Sequence, residues 1–152
     1  MSIDDLRQNL AAHTLVLLDT MVFSYQLANH ARYAPLTNAV LEAVESGEVR
    51  GLTTTVTLAK ILTVPAKAGS TRAMQDYKIY LTQFPNLTVI PLDNALARKT
   101  ALVRAETGLR TPDAVQVTAA RLAGAGAIVT NDRRWTRQVH DPQLLILDDY
   151  VD

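Results

Sequence analysis

Three aspartates stand where a chain of this kind could do phosphoryl chemistry. Asp19 follows the apolar run LVLL directly, Asp132 follows AIVT after one asparagine, and Asp113 lies in RTPDA, where Thr111 can cap a helix and Pro112 suits its first position. Taken singly, each has an ordinary explanation as an Asx turn, a helix cap or a complement to the helix dipole. Taken together they say more. A cluster of carboxylates without cations repels itself and raises some of its own pKa values, so its usual purpose is to hold Mg²⁺ or Mn²⁺ through oxygen ligands. A metal held this way lowers the pKa of bound water and stabilises charge on a phosphoryl group under in-line attack, with no need of a protein nucleophile.

The elements that must carry these acids are legible in the hydrophobic pattern. LVLL at 15–18, RGLT at 50–53, LTVI at 87–90, AIVT at 127–130 and LLIL at 144–147 are continuous apolar runs, as strands buried on both faces read. Helix-periodic segments fall at about 21–29, 35–46, 55–66, 70–83, 92–106 and 112–124. The alternation predicts an α/β fold: a mostly parallel central sheet of about five strands with helices on both faces. In such sheets ligands bind outside the carboxyl ends of the strands, which is where Asp19 and Asp132 fall.

The chain has 152 residues, 48% of them hydrophobic, which suits one domain spanning 1–152. It has no cysteine, so disulfides and thiolate metal sites are excluded. The N-terminal MSIDDLRQNLAAH lacks a positively charged start before an apolar stretch, and LVLL is far too short to cross a bilayer, so the expectation is a cytoplasmic protein without membrane attachment. Fifteen basic residues balance fifteen acidic ones, so nucleic-acid binding would have to rest on local patches. Arg133, Arg134 and Arg137, with Arg110 nearby, could rim a single-stranded RNA, and Trp135 among them could stack on a base. His13, His30 and His140 form no ligand pair and are assigned no chemistry.

The blocks LVLLDT, TTVTLAK, LRTPDAVQVTAARLAGA and IVTNDRRW, in that order, resemble the motif blocks of PIN domains, especially the VapC type of bacterial toxin–antitoxin pairs. The resemblance covers nearly the whole chain. It implies a single PIN-like domain and a Mg²⁺- or Mn²⁺-dependent endoribonuclease, with Asp19, Asp113 and Asp132 as metal-holding acids. Thr130 and Asn131 match polar residues that orient the last aspartate and its neighbouring water. It further implies a homodimer and a protein antitoxin whose segment fills the active-site groove.

Two positions depart from that pattern. The family's glutamate should fall where Lys60 stands, so T-L-A-E is T-L-A-K, and D-T-N is D-T-M at Met21. Lys60 also breaks a local rule, since Thr57 followed three residues later by Glu would form a capping box. Either Lys60 turns to solvent and another acid such as Glu42, Glu45 or Glu106 supplies the missing charge, or its ammonium stands among the three aspartates in the place of a metal. The exchange takes a four-carboxylate site from about −4 to about −2, and metal affinity should fall sharply. The competing function is a PIN-fold protein that no longer cuts and binds RNA or an antitoxin. Phosphoacceptor receivers and haloacid-dehalogenase-like phosphatases fit less well, because each wants paired acids after the first strand and LVLLDTM supplies one.

Overall fold

A computed structural model describes residues 1–152. Five short strands, β1 (Leu15–Leu18), β2 (Arg50–Thr54), β3 (Leu87–Ile90), β4 (Ala127–Thr130) and β5 (Gln143–Ile146), form one sheet in the order β3-β2-β1-β4-β5. Every pairing is parallel, which goes beyond the mostly parallel sheet expected.

Seven helices surround the sheet: α1 (Ile3–Ala11), α2 (Thr20–Leu27), α3 (Ala34–Glu45), α4 (Thr55–Lys67), α5 (Thr71–Thr82), α6 (Asn94–Thr107) and α7 (Thr111–Ala123). The first is absent from the periodic segments read above. Ser2 and Asp5 cap it reciprocally, and Leu6 and Leu10, one turn apart, are buried.

Alternate residues along the strands serve two cores, as a sheet covered on both faces requires. Val16 and Leu18 pack with Phe23, Val40 and Val44 of α2 and α3, while Leu17 between them packs with Val103 of α6 and Val115 of α7. A Cβ at Gly51 would stand 3.1 Å from the Leu87 side chain and 3.2 Å from that of Val44, so the smallest residue lets α3 lie close on β2.

The strand order places the candidate site. From β1 the chain runs out to β2 and β3 on one side, then crosses to β4 on the other. The carboxyl ends of β1 and β4 therefore diverge at the point where connections leave in opposite directions, the customary crevice of open parallel sheets. The Asp19 N–H donates to the Val129 carbonyl at 2.9 Å and fixes this junction.

Candidate active site at the β1–β4 junction

Asp19 leaves β1 in extended conformation and caps α2. Its side chain is only 3% exposed, and three groups donate to it. Oδ1 accepts from the Thr20 N–H at 2.8 Å and the Gln116 side-chain amide at 3.2 Å, and Oδ2 accepts from the Thr130 hydroxyl at 2.8 Å. Behind them lies a buried polar layer. The Gln116 Nε2 also donates to Thr57 Oγ1 at 2.9 Å, and its Oε1 accepts from Thr54 at 2.7 Å. Thr57 in turn meets the hydroxyls of Thr53 at 2.8 Å and Thr20 at 3.1 Å. One glutamine thus joins α7, β2 and α4 to the aspartate.

Burial pushes the Asp19 carboxyl above its usual range, the three donors pull against this, and the neighbouring Asp113 charge adds to the rise. The sign for stability follows. A carboxyl whose folded pKa is raised binds its proton more tightly in the folded than in the unfolded chain, so stability increases as pH falls through the raised value toward the unfolded one. Asp19→Asn keeps the shape and removes the buried charge, and Thr130 can turn its hydroxyl to accept. The variant is expected to melt above the parent at pH 7, with the gap closing as pH is lowered toward 4, which is close to the unfolded aspartate value of about 3.9. Thermal melts across that range check it; a constant gap, or a variant that melts lower at pH 7, would contradict the assignment.

Asp132 stands at the other lip. It caps the short 3-10 turn Arg133–Arg137 and receives Arg134 on both oxygens, Nε on Oδ1 at 2.9 Å and Nη2 on Oδ2 at 2.6 Å. The hydrogen bond from Arg134 holds its carboxyl below the usual range. Asp113, in the first turn of α7, shares with Asp132 the wall of a 180 Å³ cavity that also includes Arg110, Arg134, Trp135 and Gln138. The helix begins at Thr111 after an uncapped Arg110, so Thr111 does not act as the cap that the sequence suggested.

The hydroxyl of Thr130 lies between the two acidic strand exits: it donates to Asp19 and sits 3.3 Å from the Asp132 N–H. Its neighbour Asn131 turns away. The Asn131 amide donates to Tyr25 at 3.2 Å and accepts from the Asp148 N–H at 2.8 Å, so it meets neither aspartate. Met21, in the place of the expected asparagine, brings its sulfur 3.5 Å from the Thr130 hydroxyl, a weak acceptor beside a much better one.

Lys60 does not join the acids. Residues 50–54 are strand and Thr54 is the helix cap, so Thr57 already lies in the first turn and Lys60 in the second, which removes the capping-box comparison. Its side chain is exposed and forms no ion pair. It lies at the edge of an apolar groove of 310 Å³ with Leu27, Ile61, Val64 and Tyr77. No other acid replaces the expected glutamate: Glu106 pairs with Arg121 at 3.0 Å, and no three His, Asp or Glu side chains come close enough to share an ion. Trp135 also departs from the reading above. It is 1% exposed and packs in the core between the sheet and α7, so it offers no face to a base.

These donors do not fit a divalent metal as arranged. Asp132 has both oxygens taken by a guanidinium, Asp19 is turned into its own hydrogen-bond layer, and the fourth acid is a lysine. Gln116 escaped the sequence reading although a signal was present. It is a lone amide inside the apolar stretch AVQVTAA, and a buried polar residue in such a run must have partners.

The family model for the PIN domain matches residues 16–140. No curated protein matches the chain. Among solved structures, VapBC2 from Rickettsia felis bound to a DNA fragment from its promoter superposes with a TM-score of 0.67 at 17% identity, covering 87% of this chain and 98% of the other. FitAcB from Neisseria gonorrhoeae gives 0.64 at 18%, covering 87% and 97%. VapBC-5 of the VapBC toxin–antitoxin family, from Mycobacterium tuberculosis, gives 0.51 at 25%, covering 88% and 97%.

Proposed function

Because the chain belongs to the PIN domain family, we propose that it is a toxin-type PIN endoribonuclease, partnered by a protein antitoxin, whose hydrolysis of RNA phosphodiester bonds is impaired in the sequence as it stands. The observation that carries the proposal is Lys60, exposed on α4 where the resemblance calls for a glutamate, with no neighbouring acid to replace it. The retained acids at the β1–β4 junction support the nuclease lineage, since Asp113 and Asp132 line one cavity and Asp19 lies near enough for the Asp113 charge to act on it.

The solved toxin–antitoxin complexes that share this fold support an antitoxin as partner. A homodimer and dependence on Mg²⁺ or Mn²⁺ belong to the same reading. No helix is long and apolar enough to cross a membrane. What the chain's own residues do here is positional: the Gln116–Thr57–Thr54 layer and Thr130 keep Asp19 oriented at the crevice, and Arg134 neutralises Asp132.

The test is cleavage of a mixed RNA pool by the purified protein with Mg²⁺ or Mn²⁺. The protein as written should cut no faster than its Asp113→Asn variant. If it cuts well and Asp113→Asn abolishes the activity, the site is complete despite Lys60 and the impairment is refuted.

A further inference from the structure

Asn131 and Arg133 flank the last acid of the crevice, yet neither side chain bonds to it. The backbone at Asp132 is extended, so its neighbours leave on one side and its own carboxylate on the other. Asp132 goes to the cavity it shares with Asp113. The neighbours go to the 3-10 turn Leu147–Tyr150 that follows β5. Asn131 accepts from the Asp148 N–H at 2.8 Å, and the Arg133 guanidinium pairs with the carboxylates of Asp149 and, at 3.7 Å, Asp148.

The turn is itself fixed from two further directions. Leu147 and Tyr150 are buried in the core, and the Tyr150 hydroxyl accepts from Asn9 of α1 at 2.7 Å. Asp148 accepts from the Tyr33 hydroxyl at 2.8 Å and from Arg32 at 3.2 Å. The Tyr33 ring is stacked 4.7 Å from that of Tyr25, whose hydroxyl accepts from Asn131 at 3.2 Å. Asn131, Tyr25, Tyr33 and Asp148 thus close a circuit that joins the exit of β4, α2, the start of α3 and the turn. Its parts differ in weight. Arg32 and Arg133 are exposed, and ion pairs of exposed groups hold a conformation weakly. The bonds of Asn131 and Tyr33 are partly buried and backed by stacked rings, so they set the geometry.

We infer that the turn after β5 is a positioning element for Asp132, gripping the segment on which that acid stands, and that Asn131 is the positioning residue through which it acts. The inference rests on the proposed function only in counting Asp132 among the acids of the site. The two strand exits are then held by different means: Asp19 by donors to its own oxygens, Asp132 by residues outside the crevice that grip its neighbours.

Two backbone amides read the two acids separately. The Arg134 N–H donates to Asp132 Oδ1 at 3.0 Å, and the Thr20 N–H donates to Asp19 Oδ1 at 2.8 Å. Exchange of both with water is followed by nuclear magnetic resonance of ¹⁵N-labelled protein without RNA or metal. Asn131→Ala should speed exchange at Arg134 about tenfold, in the range of one lost hydrogen bond, and leave Thr20 within about twofold of the parent. Tyr33→Phe keeps the stacked ring and loses only the hydroxyl on Asp148; it should speed Arg134 about threefold and decides the matter if Asn131→Ala fails to fold. Arg7→Gln, which breaks an exposed ion pair on α1, should change neither amide. Exchange at Arg134 that stays at the parent rate in the folded variants would overturn the inference. Equal acceleration at Arg134 and Thr20 would overturn it as well, because Asn131 would then only stabilise the fold as a whole. Neither result bears on the proposed function, which the RNA cleavage assay decides.

Discussion

Lys60→Glu is expected to produce Mn²⁺-dependent cleavage of the RNA pool at least about tenfold above the parent protein, a change that corresponds to about 1.4 kcal/mol in barrier height. The reason lies in the geometry of α4. Thr57, buried in the polar layer that supports Asp19, is three residues before Lys60, so the two lie on one side of the helix with residue 60 a turn further out. A carboxylate there would remove a positive charge and add a negative one a turn from the layer that supports Asp19, and both changes favour a hard divalent cation. Lys60→Gln separates the two contributions, because it removes the charge without adding a ligand. Combining Lys60→Glu with Asp113→Asn should return cutting to background. The account fails if Lys60→Glu remains inert while binding Mn²⁺ measurably by calorimetry, since the missing carboxylate would then not be what limits hydrolysis. It fails equally if Lys60→Gln gains as much as Lys60→Glu.

The parts of the molecule that bury apolar faces on two sides were readable, and the parts decided by side-chain direction were not. LVLL, LTVI and AIVT are strands over the residues expected, the first and last largely buried as uninterrupted apolar runs in a doubly covered sheet are, whereas LTVI is an edge strand with Thr88 exposed, and the strand order located Asp19 and Asp132 at the crevice. α1 was missed because its apolar positions are few and its acids obscure them, although Ser2 and Asp5 form a capping pair that the sequence displays. The helix over 55–66 stands almost as expected, but Thr54, not Thr57, caps it, so the capping-box comparison at Lys60 lies a turn too far along. No pattern in one dimension says whether Trp135 faces solvent or core; the packing of Leu109, Val115 and Val139 around it decides that. Nor does the pattern show that Arg134 would fold back on Asp132 two residues away, a local ion pair that closes one of the acids the site needs.

The largest loss of stability from a single polar change should come from Gln116→Leu, which keeps the volume of a side chain only 1% exposed but removes its amide. Three hydrogen bonds disappear, to Asp19, Thr57 and Thr54. Thr57 keeps its contacts with Thr53 and Thr20, so its cost is small. The hydroxyl of Thr54 and the Oδ1 of Asp19 are less fortunate, the first losing its buried acceptor and the second one of its own two donors, which leaves the buried carboxylate with two of three. Summed at the usual cost of buried unsatisfied groups, the variant should be about 3 kcal/mol less stable at pH 7, a fall in melting temperature of about 6–12 °C for a domain of this size. The same amide opposes the upward pull of burial on Asp19, so its removal should raise the pH at which Asp19 takes up its proton, observable by carboxyl ¹³C titration. Part of the penalty should vanish in the Asp19→Asn background, because there is then no charge for the amide to stabilise, and a double-mutant cycle reads that coupling directly. A loss under about 1 kcal/mol, or strictly additive effects of the two substitutions, would mean that Gln116 fills space in α7 and has no part in holding Asp19.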